Sequence, residues 1–68
     1  MNELVKLKQL RQIKGLTQAE AGEGIGIDQR QWNRYENNKN ELPLRYFKEI
    51  CIKYKVSADW LLGLKEKQ

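Results

Sequence analysis

The sequence predicts an all-α fold of five helices, and three observations predict it. Apolar residues recur three and four positions apart through much of the chain. Helix-start signals punctuate it at Thr17, Asp28, Pro43 and Ser57. No segment shows sustained alternation of apolar and polar residues bounded by turns, which a half-buried strand would need.

The first helix follows from Leu4, Leu7 and Leu10, with Val5 and Ile13 less central. Gly15 ends it and Leu16 anchors what comes next. In "TQAE", Thr17 caps a helix start and Glu20, three residues on, completes a capping box. Leu16 can staple against Ala21, so a short second helix is expected over 18–25. Asp28 caps a third helix over 29–36, with Gln31 at the capping-box position and Ile27 stapling to Trp32. "NNKNE" is a polar loop. Pro43 suits the first turn of a fourth helix, whose apolar face is Leu44, Phe47, Ile50, Cys51 and Tyr54. Ser57 caps a short fifth helix, Asp59 favours its dipole, and Gly63 ends it. Residues 1–63 form one domain and 64–68 a short C-terminal tail.

"GEGIG", Gly22 to Gly26, has two readings. A phosphate-cradling loop needs a strand before it and a set spacing after it. Here the preceding stretch is capped and helical, GxGxG is not GxGxxG, and no Lys-Ser/Thr pair follows. A turn is the better reading. Gly26 stands between two capped helices, where a left-handed backbone ends the first. Gly22 lies where the second helix should touch the third. Gly24 has no such role, and inside a helix it should cost about 1 kcal/mol relative to Ala. The connection 26–28 then has the length and the glycine of a helix-turn-helix.

Composition narrows the chemistry. At 68 residues the chain sits near the lower limit for a single unstapled core. Cys51 is the sole cysteine, so no intramolecular disulfide can form, and without histidine no ordinary zinc site is expected. Cys51 also has no histidine to activate it as a nucleophile, and no close pair of carboxylates suits acid–base catalysis. No enzyme, cofactor or small-molecule substrate is expected. A net charge of +4 favours polyanions, though many domains are as basic. No apolar run is long enough to span a bilayer. The lone thiol fits a reducing compartment, and a cytoplasmic protein is expected.

On a helical wheel for 29–36, Trp32 and Tyr35 face inward. Arg30 and Arg34 lie opposite, with Asn33 and Asn37 beside them and Gln29 at the N-terminal tip. Arginine can donate two hydrogen bonds to guanine O6 and N7, and Gln or Asn can pair with adenine N6 and N7. Polar residues are also what any solvated helix face carries.

"LTQAEAGEGIGIDQRQWNRYENNK" resembles the Cro-and-repressor-type helix-turn-helix, the lambda-repressor-like domain of phage repressors and many bacterial regulators. "LKQLRQIKGLTQAE" is similar to its first helix and the start of its second, and "VSADWLLGL" to its C-terminal helix, so the resemblance covers nearly the whole chain. It implies a compact five-helix bundle whose third helix enters the major groove of double-stranded DNA, and a transcriptional regulator, expected to be a repressor. Base contacts are implied for Gln29, Arg30 and Arg34, and the wheel adds Asn33. Gln18, at a helix N-terminus, is implied as a phosphate contact. Asn37 and Lys39 follow the reading helix and can touch phosphates too, and Lys39 reads equally as surface charge. The family often pairs the positions of Arg11 and Glu36 in a salt bridge that would orient the third helix and leave Arg11 near phosphate; two unrelated surface charges are the alternative. Gly26, Trp32 and Tyr35 are structural in this reading.

The chain departs from the family in having Ala21 where a large apolar residue is usual and Gly22 where Ala is usual. Trp32 replaces the common Ile or Val, so its ring is expected to fill the volume those two vacate. Asn38 stands for the usual loop glycine and tolerates left-handed geometry. One recognition helix is too little for selectivity, so a homodimer on a pseudo-palindromic operator is expected, with half-sites roughly 34 Å apart. Trp60, Leu62 and Leu64 are its candidate contacts, although Trp60 reads equally as core. The competing function is a protein-interaction module, antitoxin-like or adaptor, on the same scaffold.

Overall fold

Three of the five helices begin where the capping chemistry places them, and α4 begins one residue after Pro43, which was expected in its first turn. A computed structural model describes residues 5–64; Leu4 and the tail from Lys65 onward lie outside the described residues. The elements are α1 (Val5–Ile13), α2 (Gln18–Gly22), α3 (Gln29–Glu36), α4 (Leu44–Tyr54) and α5 (Ala58–Leu61), with no strand among the described residues. The Thr17 hydroxyl accepts from the Glu20 N–H at 3.1 Å, and the Glu20 carboxylate accepts from the Thr17 N–H at 2.9 Å. Asp28 and Gln31 exchange the same pair of bonds at the head of α3. Ser57 accepts from the Trp60 N–H at 3.0 Å. Pro43 is the N-cap of α4 and makes no side-chain cap bond.

α1 packs on α3 and α5, and α2 on α3. The core they enclose comprises Leu7, Leu10, Ala21, Ile27, Trp32, Tyr35, Ile50, Val56, Trp60 and Leu61. Both staple residues are drawn inward, Ile27 buried and Leu16 half-buried against this cluster. No helix among the described residues is long and apolar enough to cross a membrane.

Three expectations about the glycines need correcting. α2 ends at Gly22, not at residue 25, because the chain turns there. Gly24, expected inside the helix, has φ +82° in that turn, so its missing Cβ relieves a left-handed backbone. Gly26 is left-handed as well, at φ +97°, and the connection runs from Glu23 to Asp28. Beside Gly22 the turn itself comes close: a Cβ there would lie 2.0 Å from the carbonyl oxygen of Ile27. The Gly22 carbonyl in turn accepts the N–H groups of Ile25 and Ile27 at 3.1 and 3.3 Å. The space beside Gly22 is therefore taken first by the backbone of the turn.

α4 holds that turn from behind. The Tyr54 hydroxyl donates to the Ala21 carbonyl at 2.6 Å, and Lys53 Nζ donates to the Glu23 carbonyl. The last carbonyls of a helix lack partners within it, and here two side chains 30 and more residues away supply them. Tyr54→Phe should therefore cost about 1 kcal/mol in urea unfolding, the net worth of one such bond. No change in the transition midpoint would show that the strut is idle. Elsewhere Asn38 and Lys55 are left-handed at φ 58° and 54° and close α3 and α4.

Candidate nucleic-acid interface

α3 has two unlike sides. Trp32 and Tyr35 are buried, while Gln29, Arg30, Gln31, Asn33 and Arg34 are exposed. The division follows from spacing: residues 32 and 35 are three apart and share a face, whereas 30 and 34 lie across from it. Arg30, Asn33, Arg34 and Lys39 line one open concavity of about 450 Å³. Lys39 reaches it because the chain folds back after α3. Asn38 turns left-handed and the Lys39 N–H donates to the Arg34 carbonyl at 2.8 Å. Asn37 stays with its own helix, its Nδ2 donating to the Asn33 carbonyl at 2.8 Å. Gln29 is exposed at the first position of α3.

The buried side of α3 ends in a charge. Glu36 is the one buried charged residue among those described, and isolated buried charge is costly. Among the described residues, the side chains of three bond to it. Arg11 donates Nε to Oε2 at 2.6 Å and Nη2 to Oε1 at 3.3 Å, a two-pronged pair. Trp32 Nε1 donates to Oε2 at 2.5 Å and Gln18 Nε2 to Oε1 at 3.2 Å. Arg11 also donates Nη1 to the Leu16 carbonyl at 3.0 Å, which ties α1, the α1–α2 link and α3 together. Burial is the largest single influence on the Glu36 carboxyl and pushes its pKa up. The bonds from Arg11, Trp32 and Gln18, with the charge of Arg11, outweigh it and leave the group below its ordinary value.

Trp32 thus does more than fill volume, because its N–H is a ligand of the buried carboxylate. Trp32 and Glu36 stand four apart on one helix, which is contact spacing, so this bond had a signal in the sequence. The Gln18–Glu36 and Asn33–Gln18 bonds had none, since they join different helices. Asn33 Nδ2 donates to Gln18 Oε1 at 3.4 Å.

No three His, Cys, Asp or Glu side chains gather where a metal ion could be held among the described residues. Cys51 is half-buried, and burial raises its thiol pKa, which disfavours the reactive thiolate.

A family model described as helix-turn-helix matches residues 7–61 of the 68. The chain belongs to the Cro/repressor-type helix-turn-helix family. A search of curated proteins returns no match. Membership makes DNA the partner of this helix-turn-helix domain and places it in a non-enzymatic family that serves transcriptional regulation. The inner face of α3 is fixed by the buried side chains of Trp32, Tyr35 and Glu36. Trp60, named above as a candidate dimer contact, is 2% exposed and belongs to the domain's own core, whereas Leu62 and Leu64 are 44% and 72% exposed.

Proposed function

We propose that this domain is a sequence-specific transcriptional repressor that binds a pseudo-palindromic operator as a homodimer and reads each half-site with α3 in the major groove. The observation that carries the reading is the concavity lined by Arg30, Asn33, Arg34 and Lys39, which opens on solvent while the opposite face of the helix is fixed in the core. Arg30 and Arg34 suit guanine, and Gln29 and Asn33 meet bases beside them. Gln18, Lys39 and Asn37 meet phosphates. Arg11 orients α3 through Glu36, and its remaining N–H groups face the backbone of the DNA. Repression follows from occupancy: a bound dimer covers the promoter it sits on. Leu62 and Leu64 supply an apolar surface for the second copy in this reading. The cytoplasm, which keeps the single thiol of Cys51 reduced, is the proposed compartment.

Selection of bound sequences from a random DNA pool is the test. It should return a two-fold site, and affinity for that site should fall steeply and linearly in log[salt]. Arg30→Ala and Arg34→Ala should each relax preference at one base position, at a cost of about 1–3 kcal/mol. Lys39→Ala should weaken binding to every sequence alike and lower the salt slope by roughly one. Equal losses on all sequences from all three variants would defeat the division of roles. Failure to bind any DNA at low salt would favour the protein-interaction module instead.

A further inference from the structure

We propose that Glu36 sets the polarity of the Asn33 amide through Gln18, so that Asn33 presents its carbonyl oxygen to the DNA and selects a base bearing an exocyclic amine, adenine or cytosine. This rests on the groove-reading role proposed above and specifies one of its contacts.

The argument uses only what each group can do. An ionised carboxylate accepts hydrogen bonds and donates none. Glu36 lies against Arg11 and Trp32, both donors, so it is held as the acceptor. The end of Gln18 that faces Glu36 at 3.2 Å must then be its NH₂. The other branch of that amide, Oε1, is a carbonyl and faces Asn33. A carbonyl accepts only, so the branch of Asn33 that meets it must be Nδ2. Asn33 Oδ1 is left as the branch that does not meet Gln18, on a residue that lines the concavity with Arg30, Arg34 and Lys39. A free asparagine amide can turn over and suit a donor or an acceptor. This one cannot do so without setting like against like at Gln18.

The consequence is chemical. Arg30, Arg34 and Lys39 carry only donors. Asn33 supplies the acceptor among them. In the major groove, adenine N6 and cytosine N4 are the donors on offer, while guanine and thymine present O6, N7 or O4. A guanidinium on guanine O6 and N7 and Oδ1 on the N4 of a cytosine would together read such a G·C-containing step. Gln18 keeps one N–H beyond the bond to Glu36, which leaves its phosphate contact intact.

The experiment compares base preference in the parent, Asn33→Ala and Gln18→Met, each by selection from a random pool followed by competition binding. Methionine keeps the length of glutamine and has no amide to orient. The parent should favour adenine or cytosine over guanine or thymine by about tenfold at one position that Asn33→Ala erases. Gln18→Met should weaken binding generally and reduce that preference to about twofold, while the positions read by Arg30 and Arg34 keep theirs. Full retention of the preference in Gln18→Met overturns the relay and leaves groove reading intact. A parent that selects no site overturns both. A second measurement needs no DNA. In ¹H–¹⁵N spectra of the free protein, Gln18→Met should move the side-chain NH₂ signals of Asn33, and unmoved signals overturn the relay.

Discussion

Replacing Arg11 by methionine is expected to destabilise the domain by about 3–5 kcal/mol, because it strips the cation from a buried carboxylate and leaves the carboxylate in place. The side chain of Glu36 is 3% exposed and that of Arg11 is 16% exposed, so water cannot substitute for the lost partner at low cost. Trp32 and Gln18 would remain as neutral donors. At roughly 0.05–0.15 kcal/mol per residue, a chain of this length has about 3–10 kcal/mol in total. The loss is therefore a large share of the whole, and the urea transition at 25 °C should move far toward lower concentration. Glu36→Gln removes the charge as well as the pair and should cost less. The double variant should recover about 2–3 kcal/mol relative to the sum of the singles. Strict additivity would show that the two groups do not interact. Acid gives an independent check. The Glu36 pKa is lowered on folding, so its contribution is present above the unfolded value of about 4.3 and is lost as pH falls through the folded value. Stability should drop on acidification in the parent and less steeply in Glu36→Gln. A residual slope is expected from Glu20, whose carboxyl is held low first by the Thr17 N–H and then by the Thr17 hydroxyl.

What the sequence revealed and what it concealed divides along the range of the interactions. The start of α3 was legible because Asp28 and Gln31 cap their own helix, a contact within four residues. The exposed set Gln29, Arg30, Asn33 and Arg34 was legible because it follows from periodicity alone. The end of α2 was not. Glycine is compatible with a weak helix and with a left-handed turn, and the bonds from Lys53 and Tyr54 that brace the turn at Glu23 and Ala21 come from far along the chain. Lys55 closes α4 left-handed with no glycine or asparagine to announce it. The chain from Glu36 through Gln18 to Asn33 crosses two helices and depends on which end of an amide faces which neighbour. Periodicity carries no information of that kind. The same network explains why an arginine, an indole and two amides converge on α3: each either neutralises the buried carboxylate or is oriented by it.

Gly22→Ala is the second large effect expected, and two opposing terms decide its sign. Alanine in a helix is favoured over glycine by about 1 kcal/mol, and alanine is what the family usually carries here. Against that, the added Cβ would sit 2.0 Å from the Ile27 carbonyl oxygen, 2.9 Å from its carbon and 3.0 Å from Ile27 Cβ. These are mostly backbone atoms of a buried residue and cannot swing aside as a side-chain tip would. Relief requires moving Ile27, whose neighbour Asp28 caps α3, so the clash is transmitted to α3. Overpacking of this kind costs typically 1–3 kcal/mol, and a backbone contact this short belongs at the upper end. The net result should be a loss of about 1–2 kcal/mol, with weaker DNA binding at temperatures where the variant is still folded. Gly24→Ala is the comparison that separates space from backbone strain. Its Cβ would meet only Lys53 Nζ at 3.4 Å, but its φ of +82° penalises any side chain by about 1–2 kcal/mol. Gly24→Ala should therefore lower stability and leave the affinity of the folded fraction nearly unchanged, whereas Gly22→Ala should lower both. A Gly22→Ala protein as stable as the parent, with unaltered affinity, would mean that the turn yields easily and that its close approach to α2 does not set the position of α3.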